Sequence, residues 1–398
     1  MLKKLSKIKK NISASIIAVI NIGDIRTFCT IYRVFDNNNY KILAIESVFT
    51  NGFDRGVIVD LKKASNCLSE LLNKSEKSAK ARIVDVVVSA PTDKTSVNIY
   101  PFTTSINKEI TQNDIAKLLD VDEYSSTLGS DEMILSLKYS DIYLDGKKVE
   151  NPIGMYASKL STDITVVKCF EPYIINILNL FEYLSLNLIS IIHSSQSLPY
   201  LLDTEKSNKM ALFINIDANA TYISISNKSK IVYYKVIENG VNNILNESFK
   251  NLGIGSDILE EKEIYDMSFA EFKNKIVKFT SQEGEIKVHS EDINKELDKV
   301  ITSFFDSIML ELKHIDMKNI SNISVIGECS NLLTLNTSFY EQVSSNTNLL
   351  NKLKDENITL KKPLESVAVL SIIKYYLSNY KTDNTLKVLG KKLKDLLY

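Results

Sequence analysis

Two segments of this chain share one plan. Residues 16–31 (IIAVINIGDIRTFCTI) and 210–225 (MALFINIDANATYISI) each run strand, turn, strand, with an Asn-Ile pair at the turn: Asn21-Ile22 and Asn215-Ile216. β-branched runs flanking Gly23-Asp24 are a hairpin pattern. The pattern returns 194 residues later and each copy opens an alternation of strands and helices, so the chain is constrained to a duplicated α/β architecture. A length of 398 residues accommodates two such halves and an insertion, at roughly 150 residues per domain.

The intervening sequence fills in the plan. A strand is expected over Tyr40–Phe49, then turn residues Asn51-Gly52 and Gly56, then a helix over about 61–78 with Leu68, Leu71 and Leu72 on its apolar side. Ile83–Ser89 is nearly continuous in apolar residues, as in a strand buried on both faces. From Pro91 the grain changes to short strands (Asn98–Thr103, Met133–Tyr139) around one amphipathic helix, Gln112–Leu119, capped by Thr111. Pro152 and Gly154 break that stretch, and Ile164–Lys168 with a helix over Pro172–Leu186 restores the α/β pattern. The second half is interrupted by a charged, helix-rich stretch, Val241–Leu297. It is completed by helices over Ile293–Lys313, a strand-turn at Ile323–Gly327 and a helix over Leu364–Tyr380.

This reading divides the chain into a lysine-rich extension (1–11), a first half (12–90 and 166–205) holding an inserted α+β subdomain (91–165), and a second half (206–240 and 296–380) with its own small subdomain (241–295). A linker and terminal helix follow (381–398).

Composition narrows the function classes. A formal net charge of −1 provides no global basic field for nucleic acid. Cys29, Cys67, Cys169 and Cys329 stand far apart with no CxxC, which argues against a zinc ribbon or a disulfide framework and for a reduced, cytoplasmic setting. No run reaches the ~18 apolar residues of a spanning helix. Met1–Asn11 carries five lysines and reads as a disordered start. At the other end, Leu386, Leu389, Leu393, Leu396 and Leu397 share one helical face, with Lys387, Lys391 and Lys394 away from it and Lys392 near the boundary. Such a helix suits an anionic membrane surface, and equally a last helix docked on the body or on a partner.

Several short stretches, in one order, resemble the FtsA family of bacterial cell-division proteins within the actin/Hsp70 superfamily. IIAVINIGDIRTF is similar to the family's first phosphate hairpin, and Gly52, Gly56, Ile58 and Asp60 fit its G-x-x-x-G-x-I-x-D element. Asn151-Pro152-Ile153-Gly154-Met155 resembles the N-P-x-G-M signature that closes the family's inserted subdomain. MALFINIDANATYISI lies at the second phosphate hairpin, ISVIGECSNL at the adenosine-side loop, PLESVAVLSII at the final core helix, and the leucine-lysine tail at the membrane-targeting helix. The resemblance implies actin-like halves around a cleft for ATP and Mg²⁺, a cytoplasmic protein peripheral to the inner membrane face at the division site, and other division proteins as partners. It also implies binding of the FtsZ C-terminal tail and head-to-tail self-assembly through the insert, with no nucleic acid.

The same comparison assigns Asn21, Gly23, Asp24, Asn215, Asp217, Ala218, Asn219, Thr221, Gly327, Glu328 and Ser330 to the nucleotide cleft, and these depart from the family. Its Asp-Ile-Gly-Gly-Gly-Thr-Thr-Asp run corresponds here to residues 215–222, Asn-Ile-Asp-Ala-Asn-Ala-Thr-Tyr. Amides stand for both metal-side acids, and Cβ atoms obstruct the close backbone approach that glycine allows. The expectation is a retained fold with weakened or lost nucleotide binding and no catalysis. His193-Ser194-Ser195 reads as incidental, and Glu260-Glu261 as a solvated helix face. The alternatives are an actin-like ATPase or sugar kinase, which needs the missing acids and glycines, and a PilM-like pilus-assembly module, which lacks a tail of this type.

Overall fold

The computed structural model describes residues 15–35, 39–90, 95–201, 210–255, 275–281, 284–327 and 367–379. Two sheets repeat one topology. In the first, strands lie in the order Asn187–Ile192, Asp85–Ser89, Ser15–Ile22, Arg26–Val34, Tyr40–Phe49. The first two neighbour pairs are parallel and the last two antiparallel. In the second, Ile320–Ile326 pairs parallel with Met210–Ile216, and Thr221–Asn227 and Lys230–Ile237 follow antiparallel. Ser15–Ile22 and Met210–Ile216 are thus equivalent central strands, and each enters the turn of its hairpin at its C-terminal end.

Local chemistry explains the helices that back the first sheet. Helix Leu61–Ala79 starts where Asp60 accepts a hydrogen bond from the Lys63 N–H at 3.0 Å, and it buries Ala64, Cys67, Leu68 and Leu71 at three- and four-residue spacing. The Gly52 carbonyl accepts from Val59 N–H at 3.0 Å and Asp60 N–H at 3.1 Å, which binds the glycine–aspartate element to the helix start. Helix Glu171–Tyr183 packs Ile174, Ile177, Leu178 and Phe181 into the same core.

The insert is more strand-rich than the sequence implies. Thr95–Glu109 and Tyr156–Phe170, fifteen residues each, pair antiparallel where only Asn98–Thr103 and Ile164–Lys168 are expected. Their outer halves alternate exposed residues with half-buried ones in Thr95–Glu109 and with mostly buried ones in Tyr156–Phe170, and the exposed polar residues dilute the apolar signal. Glu132–Tyr139 and Ile142–Leu144 pair with different stretches of Tyr156–Phe170. Helix Gln112–Lys117 carries the capping box between Thr111 and Asp114. The Asn151–Met155 turn is fastened to the sheet by Gly154 N–H to the Ile110 carbonyl and Ile110 N–H to the Met155 carbonyl, both 2.9 Å.

In the interrupting stretch of the second half the described residues add a hairpin to the helices expected there. Helix Val241–Asn251 is followed by a hairpin, Ile276–Ser281 with Gly284–His289, and then by one long helix, Ser290–Glu311. Val277 and Phe279 alternate toward the core, a period of two obscured in the sequence by flanking lysine and glutamate. Helix Val367–Asn379 lies between the halves, where Val369, Leu370, Ile372 and Ile373 pack with Ile17, Val19 and Phe28 of one sheet and Ala211 and Phe213 of the other.

The insert docks on both halves. Lys138 Nζ donates to Tyr200 Oη at 3.2 Å and Asn379 Oδ1 at 3.0 Å, and lies 4.2 Å from the centroid of the Tyr375 ring. Asp141 pairs with Lys230 at 2.8 Å. Among the described residues no helix is long and apolar enough to cross a membrane.

Candidate functional site

The two hairpin turns meet. Asn219 Nδ2 donates to Asp24 Oδ2 at 3.2 Å, which joins the second turn to the first across 195 residues of chain. Ile25, at the tip of the first hairpin, is only 6% exposed and sits in the core of the second half with Ile214, Ile216, Ala218 and Val241. Gly23 N–H closes its own turn onto the Arg26 carbonyl at 3.2 Å, and Ile22 N–H donates to Ser89 Oγ at 3.0 Å. Asn21 is half-buried on the strand, opposite Phe28.

The second turn is held more tightly. Asp217 N–H donates to the Ala220 carbonyl at 2.9 Å, and Asn215 Nδ2 donates to Asp217 Oδ2 at 3.3 Å. Ala218 is buried, and the Thr221 hydroxyl donates to the Asn239 carbonyl at 2.7 Å. Helix Val241–Asn251 points its N-terminus at this turn, the arrangement that commonly receives phosphate. Here its first N–H groups are already used: Val241 donates to the Asp217 carbonyl at 3.1 Å and Asn242 to the Ala218 carbonyl at 2.8 Å. Gly240 permits that approach, since a Cβ there would lie 2.5 Å from the Asp217 carbonyl oxygen. Gly327 serves a similar end: at φ +136° it abuts Ile216, and a Cβ would lie 2.0 Å from the Ile216 carbonyl oxygen.

Electrostatics reinforce the geometry. Burial, then the facing charge of Asp24, raises the Asp217 carboxyl well above the ordinary carboxylate range, while Asn215 opposes the shift. Asp24 is raised by burial and by Asp54, against the Asn219 hydrogen bonds and the Arg55 charge. Tyr234 lies on the same side, its hydroxyl pushed upward by burial and by Asp217. It is 3.5 Å from His193 Nε2, whose ring burial lowers to about 4. His193 Nδ1 contacts Ser195 Oγ at 2.7 Å, and both residues are buried. That pair caps the start of a short helix, Ser194–Ser197.

A triphosphate with Mg²⁺ does not fit these residues. Two carboxyls face the space between the turns, the helix N-terminal amides are satisfied internally, and side chains replace the glycines of a phosphate loop. Sequence reasoning identified both turns but missed Ile25, Gly240 and Asn242. Gly240, one of only 12 glycines, placed just before a helix, was the available signal. Glu328, Ser330, Glu260-Glu261, the leucine-lysine set Leu386 to Leu397 and the extension 1–11 lie outside the described residues.

Known proteins resemble this chain in both sequence and fold. Residues 94–168 match the family described as the SHS2 domain inserted in FTSA. The cell division protein FtsA of Buchnera aphidicola subsp. Baizongia pistaciae is 20% identical over 320 residues, covering 78% of this chain and 75% of that protein. Over most of its length the chain is similar to FtsA. The FtsA of Buchnera aphidicola subsp. Acyrthosiphon pisum is 22% identical over 224 residues, 55% of this chain and 53% of that one, so this second match spans about half of the relative. The fold is actin-like: a chain of the PilM-PilN type IV pilus biogenesis complex superposes with a TM-score of 0.60 at 11% identity, covering 89% of this chain and 96% of that chain.

Proposed function

We propose that this protein is a scaffold of bacterial cell division that binds the C-terminal tail of FtsZ and ties its filaments to the inner face of the membrane. Support comes chiefly from the insert: residues 94–168 match the subdomain inserted in FtsA, and here that subdomain is carried between two actin-like halves. The amphipathic tail, with its leucine face and adjoining lysines, supplies the membrane contact, and the insert supplies head-to-tail self-association. The protein acts without catalysis in this reading, because a scaffold needs a rigid frame rather than turnover.

Pulldown with a peptide copying the FtsZ tail of the same organism tests the filament contact, with capture of the full chain expected. Liposome pelleting against a truncation ending at Asp383 tests the tail. Equal pelleting of both forms would remove the membrane contact and favour the PilM-like alternative, for which the superposition with the PilM-PilN complex supports the fold alone.

A further inference from the structure

The resemblance assigns both hairpin turns to phosphate, yet in this chain they contact each other. Asn242 Nδ2 donates to Asn219 Oδ1 at 2.8 Å, which fixes the orientation of the Asn219 amide so that its Nδ2 faces Asp24 Oδ2 at 3.2 Å. One strut therefore runs from the helix start at Asn242 through the second turn to the first. Beneath it Ile25 crosses from the first hairpin into the core of the second half, and Phe49 packs against that same core. We propose that the Asn219–Asp24 hydrogen bond and the buried Ile25 form a clasp that holds the two halves closed without nucleotide, in the position a bridging phosphate would need.

Three further observations support the clasp. The Val241 and Asn242 amides, which could otherwise receive an anion, are bonded to the carbonyls of Asp217 and Ala218. The carboxyls of Asp24 and Asp217 stand beside the contact, where an entering phosphate would need N–H donors or cations rather than acids. Gly240 and Gly327 are spent on close backbone packing beside the turns rather than on an open loop. An open, phosphate-cradling cleft would leave such groups free. The clasp stands or falls independently of the FtsZ and membrane reading, which the pulldown and pelleting experiments address.

Hydrogen exchange on the full-length chain tests it. Asn219→Asp opposes two carboxylates across the contact, and protection in segments 19–26 and 214–222 is expected to fall about tenfold, the scale of one hydrogen bond to a charged group. Protection in the insert strand Glu132–Tyr139 stays unchanged and reports that the fold is intact. The double variant Asp24→Asn/Asn219→Asp exchanges donor and acceptor, and the carboxylate it places at position 219 can still accept from Asn242, so protection returns. If Asn219→Asp unfolds the insert as well, Asn219→Ser removes the amide donor with less perturbation and is expected to give the same local loss. Millimolar Mg-ATP is expected to leave both protection and the thermal midpoint of the wild type unchanged. Unaltered protection in the single variants, failure of the exchanged pair to restore it, or stabilisation of the wild type by Mg-ATP overturns the proposal.

Discussion

Above roughly pH 6.5 the stability of this protein is expected to fall as the medium becomes more basic, with Asp217 as the cause. Its carboxyl is raised above the ordinary value of 3.8 by burial and by Asp24. A group whose folded pKa is raised contributes stability that is complete below the unfolded value and is lost as pH climbs through the folded one. His193 has the opposite sign: its folded value is lowered to about 4 from 6.5, so its contribution is complete above 6.5 and lost on acidification. The two slopes oppose each other between about pH 4 and 6.5, and above that window His193 adds nothing. Burial pushes the Cys29 thiol up to about 12 from 9.0, so it acts only at higher pH. One extra proton held by the folded state corresponds to about 1.4 kcal/mol per pH unit, hence up to ~2 kcal/mol between pH 6.5 and 8. Urea unfolding of the full chain, followed by circular dichroism in half-unit pH steps, measures this slope. Asp217→Asn keeps the shape, removes the titration, and is expected to give a flat profile and a more stable protein than wild type at the basic end. A flat wild-type profile, or an unchanged slope in Asp217→Asn, would refute the assignment.

Other perturbations probe the frame around the turns. Gly327→Ala places a methyl group against the Ile216 carbonyl at a left-handed φ, and a loss of about 2–4 kcal/mol is expected in denaturant titration. Ile25→Ala empties a buried site in the opposite half and is expected to cost about 2–4 kcal/mol, with exchange rising in segment 214–222. Lys138→Ala removes the bonds to Tyr200 and Asn379 and the contact with the Tyr375 ring, and a loss of about 1–2 kcal/mol is expected, with faster exchange where the insert meets helix Val367–Asn379. His193→Gln is expected to remove up to ~3 kcal/mol of acid sensitivity between pH 6.5 and 4, read from unfolding midpoints on either side of that window.

Much of the frame was legible from local signals, because those signals act over a few residues. Alternating β-branched residues around Gly23-Asp24 and around residues 217–220 specify hairpins, and Asp60 and Thr111 mark helix starts whatever the surroundings. The Asn151–Met155 turn was visible as a motif, and its reason, a pair of backbone bonds with Ile110, became clear in the fold. Half-exposed strands were harder to read: the outer part of Tyr156–Phe170 and the strand Ile276–Ser281, with Val277 and Phe279, bury residues at spacings of two, and the polar residues between them obscure that period.

The departures at residues 215–222 were readable in sequence as lost acids and glycines, and that sufficed to question a phosphate site. What stands there instead was set by tertiary structure. Asn219 reaches Asp24 and Ile25 enters the opposite core because two sheets with one topology are packed with their hairpin turns together. Lys138 finds its tyrosines because the insert lies against helix Val367–Asn379. Periodicity and capping depend on neighbours three or four residues away, so the chain's own order determines them. A hydrogen bond spanning 195 residues exists only once packing has set the distance, and a carboxyl is neutralised beside another only once burial has removed water from it.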